Sequence, residues 1–496
     1  MLKKLFSLTT LTFINYVINF GKQILISKHI GIDPELDIYL YVLSIINVMQ
    51  FFSGPISEAC LPDLFKQHET SIDKASHEFS KITNNLVLLC LAGLLGLWIS
   101  THLEIFIPAG KSYPKEQTLN YIFLLAPLVF FNSLNHVYTG ALNVLNRFIF
   151  QTTGKFIANL VSVVLLFLYL PSMGVKAIAI SLLVFNGLSV LVQIFDLGRL
   201  GLRFVPNVGL RLSSKTYKML FALSGIFLLT SLTQIFERKT YMHFSEGLLS
   251  SFNYANSFNM ILPQLVIMNI ASLSWTKVLE LYNKNGIERA VNLVNVVNKY
   301  LLVFCFYLAG FVLIYSDQIS FILFQRGKLD AEAIQKVSLI MKFLVLSLPF
   351  NAYNAIAGRI LISLQMTKCL TINGLIIQVM TIICISLSYT LNNELFLFAI
   401  LSAAHLGSAV YITYVLYKMA PQSFEFKITS DKLFVCGLLL LGSFGSFFLR
   451  EKVKDFDKVP LFFSIVAIFL VPLLLATLIH YKKFLEKFRN AIHVSA

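Results

Sequence analysis

Asn15, Asn19 and Lys22 are spaced by four and three residues, so on a helix they share one face. Further along, Glu237-Arg238-Lys239 interrupts an apolar run, Asn253, Asn256 and Asn259 recur at every third residue before Pro263, and Asn351, Asn354 and Arg359 follow in a later run. Polar groups are costly against lipid, so within a membrane they face protein or a water-filled cavity. A cationic side chain in such a cavity suits a diphosphate, whose oxygens accept charge-assisted hydrogen bonds from Lys and Arg. Asparagine amides suit sugar hydroxyls. The candidate binding set is therefore Lys22, Asn15, Asn19, Arg238, Lys239, Asn253, Asn256 and Arg359. Each has a plainer alternative: a single asparagine is helix–helix glue, and Lys22 can snorkel to an interface. His136 and His405 read as hydrogen-bonding groups between helices, and Glu58 and Asp63 as capping or pairing groups.

The elements that position these residues must be membrane helices. The chain is 57% hydrophobic and 13% charged, against about 25% charged in soluble domains, so it cannot cover itself with polar surface. Crossing the hydrocarbon core takes about 20 apolar residues, and about fourteen such runs recur from end to end. They lie near 5–28, 37–62, 85–107, 119–145, 152–171, 174–198, 216–242, 247–274, 293–316, 335–364, 368–391, 394–418, 431–449 and 458–481. The basic start Met1-Leu2-Lys3-Lys4 mimics a signal peptide, but no small-residue cleavage pattern follows, so the first run reads as a retained span. Pro55, Pro127, Pro263 and Pro349 fall inside runs and predict bends, with Gly54-Pro55 a candidate hinge. The fold class expected is an all-α polytopic membrane protein.

The formal net charge is +15. On a soluble protein that would suggest nucleic acid. Here the bases fall between apolar runs, where they set topology and meet anionic headgroups, so no nucleic-acid partner is expected. One set of loops carries Lys66, Lys74 and Lys81, then Arg147 and Lys155, then Arg199 to Lys218, then Lys277 to Lys299, then Lys418 and Lys427, and finally Lys482 to Arg489. The alternate loops are shorter or mixed in sign. This asymmetry predicts both termini in the cytoplasm.

The chain also repeats itself. Asn132, Asn135 and Gly140 in the fourth run have Asn351, Asn354 and Gly358 in similar order in the tenth, and an amphipathic stretch follows both the second and the eighth. Two six-helix lobes are expected, 1–205 and 206–425, followed by two further helices and a short cytoplasmic tail in 426–496. Transporters often hold substrate between such repeats.

Enzyme signatures are missing: there is no Walker A loop, GxSxG elbow, HExxH or CxxC. The six cysteines lie in or beside apolar runs and read as small core hydrophobes. The expectation is a non-enzyme with no cofactor and no bound metal.

Several segments together resemble the MurJ/MviN family of lipid II flippases, within the superfamily that also holds Wzx polysaccharide flippases and MATE exporters. They are Phe20-Gly21-Lys22-Gln23 through His29-Ile30-Gly31, Asp37-Ile38-Tyr39, Gly54-Pro55-Ile56-Ser57-Glu58-Ala59-Cys60-Leu61-Pro62, Phe252-Asn253-Tyr254-Ala255-Asn256 and Leu323-Phe324-Gln325-Arg326-Gly327-Lys328. The resemblance implies two lobes around a central cavity and a cargo of undecaprenyl-diphosphate-linked saccharide, handed from the cytoplasmic to the outer leaflet of the bacterial inner membrane by a monomer. It also implies that the last two helices form a groove for the lipid tail. The chain departs from the family pattern at Tyr16, near Val48-Met49 and at Ala255-Asn256-Ser257, where basic or acid–base residues are usual. A Wzx-like carrier of O-antigen or exopolysaccharide units is therefore the alternative cargo reading, and a MATE-like drug exporter the second alternative.

Overall fold

Hydrocarbon offers the backbone no hydrogen-bonding partner, so apolar runs of this length fold as helices that satisfy themselves. The computed structural model describes residues 2–104, 113–145, 147–202, 204–205, 212, 214–262, 267, 278, 281–282, 284–325, 327–364 and 366–424. The runs expected at 431–449 and 458–481, Pro263, Cys436 and the side chain of Glu58 lie outside the described residues. The helices are α1 (Leu2–His29), α2 (Pro34–Met49), α3 (Ser53–Thr70), α4 (Ile72–His102), α5 (Lys115–Leu125), α6 (Leu128–Val144), α7 (Phe148–Met173), α8 (Val175–Arg199), α9 (Ser214–Phe244) and α10 (Leu248–Leu262). They continue as α11 (Ile287–Phe324), α12 (Ala331–Val345), α13 (Leu348–Ser363), α14 (Thr367–Leu391), α15 (Leu395–Phe398) and α16 (Ile400–Met419). Among the described residues, nine stretches are long and apolar enough to cross a membrane. Outward stripes agree: Leu88, Leu91, Leu95 and Trp98 of α4 recur at helical spacing and are exposed, a surface stable only against lipid.

Three expected spans are broken in the middle, each beside a proline. The second run divides into α2 and α3 at Gln50–Phe52, the fourth into α5 and α6 at Ala126–Pro127, and the tenth into α12 and α13 at Leu346–Ser347. Pro55, Pro127 and Pro349 thus stand at the start of a new helix or just inside it. There the missing N–H has no intrahelical partner to lose, so the chain breaks before proline rather than bending at it. The hinge expected at Gly54-Pro55 is displaced to the preceding turn. Helices also run past the apolar cores: Lys74 and Lys81 lie on α4, Lys155 on α7 and Lys299 on α11. Several bases assigned to loops are therefore helical.

Packing divides the chain into two units. The first comprises 1–251 with 327–329, and the second 252–326 with 330–496. In the first, α7 packs on α1 and α8, α6 on α3 and α8, and α9 on α2 and α3. In the second, α11 packs on α12 and α13, and α16 on α13 and α14.

Each unit carries the same internal bond. In the first, the Asn135 amide of α6 donates to the Asn186 carbonyl of α8 at 3.4 Å. In the second, the Asn354 amide of α13 donates to the His405 carbonyl of α16 at 3.0 Å. Both pairs are 51 residues apart. The shift that carries Asn135 onto Asn354 also carries the start of α7, Phe148, onto the start of α14, Thr367.

The segment 327–329 crosses the end of α1 in close contact. A Cβ on Gly327 would lie 2.2 Å from the Lys28 Cα, and one on Gly31, already at φ +75°, would lie 3.0 Å from the Lys328 Cβ. Backbone cannot give way as a side chain does. Gly327→Ala is expected to destabilise by about 1–3 kcal/mol, as overpacking does. Gly310→Ala, with nothing within 4 Å of its new Cβ, is expected to be neutral or better. Thermal unfolding followed by size-exclusion in detergent compares the two, and equal midpoints would refute the close approach.

Candidate functional site

The polar face expected on α1 meets α7. Lys22 donates from Nζ to the Ser162 hydroxyl at 2.8 Å and stands 5.4 Å above the centroid of Phe185 on α8. One turn away on α7, the Asn159 amide donates to the Asn15 side-chain oxygen at 3.2 Å. Ser162 and Asn159 are buried, so Asn15 serves as the helix–helix contact of the plainer reading. Asn19, between them in sequence, is exposed. An ammonium has three protons; Lys22 commits one to Ser162 and retains donors for an anion.

Arg238 of α9 donates from a guanidinium nitrogen to the Leu40 carbonyl on α2. It is half-buried, like its neighbour Lys239. Asn253 and Asn256 on α10 are half-buried and Asn259 is buried, and the side-chain oxygens of Asn256 and Asn259 have no hydrogen-bond partner among the described residues. Arg359, on α13, is half-buried. Lys22, Asn15, Asn19, Arg238 and Lys239 thus belong to the first packing unit, and Asn253, Asn256 and Arg359 to the second.

A well-partnered carboxylate lies outside the residues that the helical spacing picks out. Asp37, fully buried near the start of α2, accepts from the Gly247 N–H at 2.7 Å and from the Ser250 N–H at 2.7 Å. It also accepts the Ser250 hydroxyl at 2.5 Å and the Tyr113 hydroxyl at 3.3 Å. Burial, reinforced by the Asp37 charge, pushes the Tyr113 phenol's pKa up and keeps it a donor. The carboxylate lies at the head of α10, where free N–H groups and the helix dipole favour negative charge. Glu35, two residues earlier, accepts the Tyr121 hydroxyl at 2.6 Å, and Asp33 caps α2 through the Glu35 N–H at 2.7 Å. Sequence showed Asp37 only as part of a family-like segment, because its partners Gly247 and Ser250 lie over 200 residues away. A carboxylate inside an apolar run was the available signal.

A second feature lies within the first unit: a cavity of about 650 Å³ lined from α3, α6, α7 and α8. His136 contributes to its wall and is exposed there, rather than tied between helices. Among the described residues no cluster of His, Cys, Asp or Glu could hold a metal ion. Cys60, Cys90, Cys305 and Cys384 are buried, and Cys369 is half-buried.

Replacing Asp37 by Ala strips the acceptor from two buried N–H groups at the head of α10. Each unmatched group costs about 1–3 kcal/mol. Hydrogen exchange at Gly247 and Ser250 is expected to accelerate at least tenfold, with a lower unfolding midpoint and a smaller effect in Ser250→Ala. Unchanged exchange would show that the clamp contributes nothing.

No curated protein matches the chain. The family model described as lipid II flippase MurJ matches residues 26–481. Among solved structures, lipid II flippase MurJ in an inward closed conformation aligns with TM-score 0.75 at 17% identity, over 96% of this chain and 99% of that one. An inward-facing multidrug resistance MATE family transporter of the MOP superfamily aligns with TM-score 0.63 at 15% identity, covering 82% and 94%. A point mutant of the Vibrio cholerae MATE transporter VcmN aligns with TM-score 0.57 at 12% identity, covering 85% and 98%. At these identities the structural likenesses speak for the fold, while the family match spans most of the sequence: this chain belongs to the lipid II flippase MurJ family.

Proposed function

We propose that this protein carries a polyprenyl-diphosphate-linked saccharide of the lipid II kind from the cytoplasmic to the outer leaflet of a bacterial inner membrane, as a monomer with both termini in the cytoplasm. The observation that carries the reading is the family match over residues 26–481. The chemistry of the side chains supports it. A diphosphate needs a cation that is desolvated yet still has protons to donate, and Lys22 is held in that condition by Ser162 and Phe185. Arg238 and Lys239 on α9 would add charge, and the amides of Asn19, Asn253 and Asn256 would take hydroxyls, with Arg359 a further anion partner. The lobes would follow the sequence repeat, 1–205 and 206–425, with alternating access between them. Bases favour the cytoplasmic side, which accounts for the expected orientation.

The cargo alternatives share the diphosphate and differ in the sugar. The purified chain in proteoliposomes is expected to move fluorescent lipid II between leaflets faster than protein-free vesicles, and to prefer it over a polyprenyl-diphosphate-linked polysaccharide repeat unit. Protein-free rates with lipid II alongside rapid movement of the repeat unit would transfer the assignment to the Wzx-like reading. A hydrogen bond to a charged group contributes about 1.5–3 kcal/mol, or roughly 10- to 100-fold. Lys22→Ala is accordingly expected to lower transport by that factor, Lys22→Arg to restore most of it, and Arg238→Ala to lower it comparably. Full transport by both alanine variants would remove the phosphate site.

A further inference from the structure

The 650 Å³ cavity inside the first unit contains none of the expected binding residues, yet it is built like a binding site. Its size falls within the range of about 300–1,000 Å³ usual for ligand pockets. Asn132, Asn135, His136 and Asn143 of α6 line it, spaced so that they form one stripe, with Lys155 of α7 and Phe185 of α8 completing the wall. The lining holds a lysine and a histidine and no carboxylate. Lys155 makes no hydrogen bond or ion pair with the described residues. A cation among apolar helices without a counter-charge is expensive, and an anion in the cavity would offset that cost.

The internal repeat separates the groups the fold requires from those it does not. Under the shift that matches Asn135 with Asn354 and Asn186 with His405, Asn132 meets Asn351, an amide in both halves. Lys155, however, meets Gly374, His136 meets Ala355 and Asn143 meets Ile362. The second half packs the same helices without them.

Phe185 connects this cavity to Lys22. Its ring forms part of the wall, and the Lys22 ammonium stands 5.4 Å above the centroid. A diphosphate held at Lys22 would direct the attached sugar across that ring toward the amide stripe.

We infer that this cavity is a subsite for the saccharide end of the cargo, with Lys155 binding a carboxylate or phosphate carried on the sugar or on a peptide attached to it, and His136 and Asn143 of α6 binding its hydroxyls and amides. The inference rests on the transport reading above. Its chemistry, an anionic polyol, is shared by the headgroup of phosphatidylglycerol, so the experiment must separate the two. Binding to the full chain in nanodiscs is measured with undecaprenyl diphosphate, with lipid II, whose peptide carries free carboxylates, and with phosphatidylglycerol. Lys155→Gln is expected to weaken lipid II at least tenfold, in line with a lost charged hydrogen bond, and to leave undecaprenyl diphosphate unchanged. Lys155→Arg is expected to restore lipid II binding, and Lys22→Ala to weaken both polyprenyl ligands. His136→Ala with Asn143→Ile copies the other half of the repeat, should fold as it does, and carries the same expectation as Lys155→Gln. Unaltered lipid II binding, equal loss of both polyprenyl ligands, or a loss confined to phosphatidylglycerol overturns the subsite. If lipid II binds and responds to Lys22→Ala alone, only the subsite fails. If the wild-type chain binds neither polyprenyl ligand, the transport reading fails with it.

Discussion

Asp37 is where the constraint on this protein is clearest. A carboxylate among apolar helices has no water to lean on, so it gathers protein donors, here two backbone N–H groups and two hydroxyls. Those donors come from the turn between α9 and α10, from the first turn of α10 and from the chain before α5. One buried charge thereby joins elements far apart in sequence. Smaller versions of the same demand recur throughout: Asn135 to Asn186, Asn354 to His405, Asn15 to Asn159, Gln193 to Thr139. Between lipid-solvated helices the hydrophobic effect supplies little attraction, so such polar contacts and close packing decide which faces meet. The glycines at 31 and 327 serve the same end, letting backbone approach backbone at the end of α1.

The cations meet that demand in three different ways. Arg238 gives a donor to a backbone carbonyl, a bond that also fixes α9 against α2. Lys22 shares itself between a hydroxyl and an aromatic face. Lys155 is left to a cavity wall that offers amides and a histidine but no acid. The order is one of decreasing internal satisfaction, and hence of increasing readiness for an external anion. A partly paired cation can exchange partners.

Most of the fold was legible because it rests on one-dimensional signals. Runs of about 20 apolar residues mark spans regardless of what they pack against, and the described helices fall on the predicted runs. The breaks were misplaced because hydropathy does not register where a backbone stops. Proline favours a helix start, so the interruption falls before it, at Gln50–Phe52, Ala126–Pro127 and Leu346–Ser347. The site was less legible, since helical spacing says which residues share a face but not which helix that face meets. Of Asn15, Asn19 and Lys22, expected to share one face, Asn15 and Lys22 meet α7 and Asn19 is exposed. Asp37 was hidden by the distance in sequence to its donors. Lys155 was read as a loop charge although it lies within the run at 152–171, because its role in setting topology and its place in a cavity leave the same mark in sequence.

The duplication supplies a distinction that neither spacing nor burial gives alone. Two copies of one helical frame share the groups that hold the frame together and differ in those that do something else. Asn135 and Asn354 repeat with the same bond over the same interval, and Asn132 and Asn351 repeat in sequence, so these amides read as part of the frame. Charge does not repeat. Lys155 corresponds to Gly374 under the repeat, while Arg359 corresponds to Gly140, itself in the wall of the first-unit cavity. Each half has therefore placed a cation where the other keeps a glycine. A fold under selection only for stability would discard an unpaired charge among apolar helices, since glycine serves the same position in the sister half. Lys155 is such a charge, and its presence argues for an anion received by the first-unit cavity.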